Sequence, residues 1–77
     1  MLGNPKYDYG DIVNFEWNDS VKQGIIAIID KYGTFFDNSD VSYDILNKEE
    51  NILYKHCSEK LIIEQVGHTE EDIFRLL

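Results

Sequence analysis

The sequence predicts a small, mainly β protein: a barrel of five short strands followed by a short C-terminal α-helix. Three observations carry this expectation. Apolar residues alternate with polar ones in several short runs, the stretch from Ile25 to Ile29 is apolar on both parities, and residues 69–77 change to a helical spacing. A chain of 77 residues has room for one domain, here residues 1–77, because an independent core needs roughly 50 residues or more.

The elements follow in chain order. The segment "NPKYDYG" holds the single proline and a glycine and reads as an arm and a turn. In "DIVNFEW", residues 11–17, Val13, Phe15 and Trp17 share one face and Asn14 and Glu16 the other, the pattern of a half-buried strand. "NDS" supplies turn residues. "VKQGIIAIIDKYG" is too short and too β-branched for a helix, so it is expected as a second strand covered on both sides, with Gly24 as a kink or bulge. "TFFDNSD" is a loop by composition. "VSYDIL" resumes alternation as strand three and "ILYKHC" follows as strand four, with its inward parity undecided because Leu53 and Cys57 bracket Lys55. "SEK" turns the chain into "LIIEQV", strand five. Thr69 is placed as the N-cap of a terminal helix whose first turn carries Glu70, Glu71 and Asp72.

Composition narrows the function. A 43% apolar, 13% aromatic chain folds despite its net charge of −8. Fifteen acids against seven bases disfavour phosphate-driven binding to nucleic acid and attraction to an anionic membrane. Such a chain approaches a basic protein surface most readily. The lone Cys57 forms no internal disulfide and the first residues lack a signal-peptide pattern, so a cytoplasmic location is expected. The apolar run is far shorter than the roughly 20 residues that span a bilayer.

The stretches "YGDIVNFEW" and "QGIIAIID" resemble the start of SH3-like barrels of the Tudor and KOW kind, through Gly10, Asp11, Val13, Phe15, Gly24 and Ile26. Residues 7–66, including "SYDILNKEENILYKHCSEKLI", are also similar to small proteins encoded by phages and prophages of Gram-positive bacteria. The resemblance implies an SH3-like barrel over residues 7–66 with the helix at 69–77 outside it. It does not fix a function, because such barrels host many tasks.

Candidate sites divide into weak and stronger signals. Tyr7, Tyr9, Trp17, Tyr32, Tyr43 and Tyr54 could wall a cage for a methylated cation, as in Tudor-like barrels, or simply fill the core. Phe35 and Phe36 are adjacent, so in extended chain they point oppositely and one is expected outside, bordered by Asp37 and Asp40, as a protein-binding anchor. Asp37, Asp40, Asp44, Glu49 and Glu50 flank strand three and are expected to form one acidic rim. Catalysis has no constellation: His56 and Cys57 face opposite sides of a strand, and no metal-ligand motif or phosphate loop occurs. No cofactor is expected.

The sequence therefore points to a non-enzymatic, acidic protein-binding module at Phe35, Phe36, Asp37, Asp40, Asp44, Glu49 and Glu50. The resemblance extends this to a phage product that inhibits or modulates a host protein, of the anti-defence, DNA-mimic type. Its alternatives are a nucleic-acid-associated barrel using Lys22, Lys31, Lys55 and Lys60, and a homodimer that sequesters a small ligand.

Overall fold

A computed structural model of the chain describes residues 4–31 and 40–72. These form β1 (Asp11–Trp17), β2 (Ser20–Asp30), β3 (Ser42–Asn47), β4 (Ile52–Ser58), a 3-10 turn (Glu59–Leu61) and β5 (Ile62–His68). All pair antiparallel in one sheet of order β4-β3-β2-β1-β5.

The sheet curls until its far strands meet. Two strands lie between β1 and β4, which on a flat sheet would put them roughly 14 Å apart at the usual strand spacing. Yet the Tyr54 ring of β4 stands 5.5 Å from Phe15 and 5.0 Å from Trp17 of β1, both edge to face. Every strand sends side chains into the enclosed core: Val13, Phe15, Ile26, Tyr43, Ile45, Tyr54, Cys57 and Ile62 are all buried there. Burying one such large side chain contributes about 1.5–3 kcal/mol, so this cluster is what keeps the sheet curled.

Two expectations are corrected. The sheet is not a closed barrel: no ladder joins β4 to β5 among the described residues, and those two strands are its edges. The 3-10 turn carries the chain from one edge to the other, tied by the Glu59 N–H to the Val41 carbonyl and by the Tyr43 hydroxyl to the Glu59 carboxylate. Among the described residues no strand ladder closes that seam, and Cys57 of β4 and Ile62 of β5 belong to one buried cluster. Nor do residues 69–72 begin an α-helix. The Thr69 hydroxyl does accept from the Glu71 N–H, as a cap would, but the Thr69 N–H is drawn to the Gly10 carbonyl and the Glu71 carboxylate to Lys48. Residues 73–77 lie outside the described part.

Local chemistry explains the turns. Trp17 pairs with Ser20, leaving a two-residue hairpin at Asn18 (φ 48°) and Asp19 (φ 64°), the left-handed pair that matches strand twist. Between β3 and β4, the Asn47 side chain accepts the Glu50 N–H and Asn51 (φ 58°) takes the left-handed position.

Bulges set which side chains face inward. β2 slips by one residue between Ile26 and Ile28, so Ile29 rather than Ile28 returns to the core, and Ile28 is exposed. In β4, Lys55 and His56 together oppose Asp44, with His56 at φ 59° and its N–H held by the Asp44 carboxylate at 3.0 Å. That extra residue puts both Tyr54 and Cys57 inside, which resolves the parity of strand four.

Gly24 is not the kink. It marks a close approach, where an added Cβ would lie 2.5 Å from the Ile45 Cγ2 and 2.8 Å from the Leu46 carbonyl oxygen. Gly24→Ala is therefore expected to destabilise by about 1–3 kcal/mol, read as a fall in thermal midpoint of several degrees at unchanged fold. Conversely, Asp19→Gly removes left-handed strain in the hairpin and should raise stability by up to about 1 kcal/mol in a urea titration.

Candidate protein-binding surface

The antiparallel register that fills the core also lines up an apolar row on the opposite face. Leu53 opposes Leu46, Leu46 opposes Ile25, and Ile25 opposes Ile12, so four strands contribute one residue each to a continuous stripe. Ile25, Ala27 and Leu46 are buried, with Ile12 and Leu53 packed at the ends. β5 contributes Gly67 opposite Ile12. The next row is polar: Gln23 donates to Asn14 at 3.2 Å, and Asn14 donates to Glu64 at 3.1 Å.

Above this face lies an open groove of about 740 Å³. Ile12, Val21 and Ile25 lie along it, residues 48–50 close one side, and His68, Thr69 and Glu71 close another. Val21 is among the most exposed large apolar side chains described. The floor alternates, with Gln23 between Val21 and Ile25, so its apolar positions can contact an aliphatic side chain while Gln23 and the charged walls orient it by polar contacts.

At the β3–β4 turn, Lys22 bridges Glu50 at 3.0 Å and lies 5.6 Å from the centre of the Tyr54 ring, while the Tyr54 hydroxyl donates to Glu50 at 2.7 Å. The Tyr54 hydrogen bond first, and Lys22 second, hold the Glu50 carboxyl below its ordinary value. Glu50 in turn raises both Lys22 and Tyr54. Within this network the charges of Lys22 and Glu50 offset each other.

A second network sits at the other wall. His68 lies between two carboxylates, with Nδ1 2.8 Å from Asp11 and Nε2 2.8 Å from Glu70. Asp11, buried, also accepts the Asp8 N–H at 2.9 Å. The two carboxylates flank opposite sides of the ring and do not converge. Among the described residues no three His, Cys, Asp or Glu side chains gather as metal ligands.

Of the residues expected to bind protein, the four described ones divide between the two ends of β3. Phe35, Phe36 and Asp37 lie outside the described residues. Asp40 is engaged by the Val41 N–H and the Ser58 hydroxyl, and Asp44 caps the β4 bulge. Glu49 and Glu50 lie beyond the opposite end of β3, roughly 17 Å along a six-residue strand. Four of the five rim acids are described; two lie toward each end of β3, and three of them have structural partners. Tyr43 and Tyr54 are buried, and Tyr7 packs edge to face on Tyr43 at 5.9 Å, so these rings do not wall a cage. The apolar row was legible in part from Ile12, which sits opposite in parity to Val13 and Phe15 of its strand, but not from Leu53, which shares the sequence parity of the buried Cys57.

Of the lysines named for a nucleic-acid face, Lys22 is committed to Glu50, while Lys31, Lys55 and Lys60 are exposed. Cys57 is fully buried and hydrogen-bonds the Tyr54 carbonyl at 3.6 Å; burial pushes its thiol up to about 12. It is therefore held as the unreactive thiol. At neutral pH a thiol-specific disulfide reagent should label Cys57 only at the rate of unfolding, and prompt labelling of the native protein would contradict this packing. Comparison of the chain with protein-family models, curated proteins and solved structures gave no match.

Proposed function

We propose that the chain is a non-enzymatic, acidic protein-binding module that engages a partner with a basic surface. The observation that carries this reading is the groove on the outer sheet face, with Ile12, Val21 and Ile25 as apolar floor and Glu49 at an exposed corner. Glu16 and Glu64, both exposed, stand on the same outer parity of β1 and β5 and extend the acidic border. With a net charge of −8, the chain attracts a cationic partner at long range, and the apolar floor supplies the short-range contact.

The strand order and the curl support reading the sheet as an open SH3-like barrel. The resemblance to phage proteins supports a host protein as partner, whose basic groove the acids occupy in place of DNA phosphates. Phe35 and Phe36, between β2 and β3 in the sequence, enter this reading as a further anchor.

The test is affinity capture from a bacterial lysate with the wild-type chain and with a Glu16→Lys, Glu49→Lys, Glu64→Lys triple variant, alongside competition by duplex DNA. A basic protein captured by the wild type, displaced by DNA and by raised salt, and lost with the folded variant is the expected result. Equal capture by the charge-reversed chain, or no basic protein bound at low salt, would refute it.

A further inference from the structure

Residues 68–71 form a wall of the groove and are fastened at three points. The Thr69 N–H donates to the Gly10 carbonyl at 2.8 Å, the Glu71 carboxylate bridges Lys48 at 3.1 Å, and His68 sits between Asp11 and Glu70. The first contact brings the segment hard against the start of β1. Gly10 has φ 85°, and a Cβ there would lie 2.3 Å from the Thr69 carbonyl oxygen, so only glycine admits the crossing.

The third contact depends on a proton. Carboxylate oxygens only accept hydrogen bonds, and a neutral imidazole has one N–H to offer. With both ring nitrogens 2.8 Å from carboxylate oxygens, a neutral ring would set a lone pair against one of the two acids. Both bonds form only with imidazolium. Asp11 is held by the Asp8 N–H as well, whereas Glu70 is highly exposed and free to swing out.

We propose that His68 is a pH-sensitive latch on the groove: as imidazolium it clamps residues 68–71 against β1 and keeps the wall formed, and loss of its proton loosens the wall and weakens binding there. This rests on reading the groove as the binding surface. The groups that face the ring are acids: Asp11 from β1, Glu70 from its own segment and, behind Asp11, Asp8 of the N-terminal arm, whose carboxylate accepts the Tyr9 N–H. Lys48, reaching from the other side of the groove, is taken up by Glu71.

The hydrogen bonds to Asp11 and then Glu70 raise the His68 pKa above its ordinary 6.5. A raised folded value gives the sign. The latch is fully engaged below the unfolded value and is lost as pH rises through the folded one.

The experiment is an NMR titration of the full chain from about pH 5 to 9, following the His68 ring and the amides of Ile12, Ile25, Thr69 and Glu71. We expect His68 to titrate above 6.5 and the four amides to follow it with one midpoint. Exchange of the Thr69 amide, corrected for its intrinsic pH dependence, should accelerate roughly tenfold across that midpoint. Glu70→Gln, at an exposed position, should lower the midpoint, and His68→Gln should remove the co-titration. A His68 midpoint at or below 6.5, or amides that ignore it, would overturn the latch. Partner capture at both ends of the titration separates the two readings. A titrating latch with equal capture at both pH values overturns the gating and leaves the groove reading intact; a titrating latch with no partner at any pH defeats the groove reading alone.

Discussion

The contact of Tyr54 with Phe15 and Trp17 is the constraint on which the molecule rests, because it joins strands that the hydrogen-bond ladder keeps three positions apart. A five-stranded antiparallel sheet of short strands has one face to bury and too little chain to supply a second layer. Rolling the face onto itself solves this, and the aromatic rings are long enough to meet across the roll. Once β1 and β4 touch, the edges β4 and β5 are brought within reach of a three-residue 3-10 turn, and Ile62 and Cys57 complete the same core. Among the described residues the backbone groups on those two edges have no strand ladder between them, so the shared core rather than a closed sheet holds the edges near each other.

Curling imposes a second requirement, that strands bend without losing the phase of their side chains. Bulges in β2, β4 and β5 meet it. In β4 the left-handed His56, held by Asp44, turns a strict alternation into one that buries Tyr54 and Cys57 three residues apart. In β5 the ladder to β1 skips Ile63 and Val66, and both are exposed. Such irregularity on an edge strand also discourages pairing with another chain's edge. Acids expected to form a binding rim are thus partly building material: Asp44 pins a bulge, Asp40 a strand entry, and Glu50 a turn.

The outer face is shaped by the same register. Because each inward residue fixes its neighbours outward, the core row dictates the Leu53, Leu46, Ile25 and Ile12 row behind it. The segment after β5 crosses at Gly10 and borders that row, so the groove and the polar contacts that shape it arise where the segments flanking β1 and β5 meet.

The sequence by itself determined the number and approximate limits of the strands. β1 is read in full from the alternation of Val13, Phe15 and Trp17, and the chain turns at Asn18 and Asp19 because those residues tolerate left-handed backbone. It also determined that the isoleucine run lies on two apolar faces, since Ile26 enters the core while Ile25 and Ala27 pack behind it. Only the tertiary structure decided the phase of β4, the open seam, the non-helical course of residues 69–72 and the pairing of His68 with Asp11. Alternation and capping are local and written in neighbouring residues, whereas a bulge, an edge and a carboxylate 57 positions away depend on where distant strands come to rest.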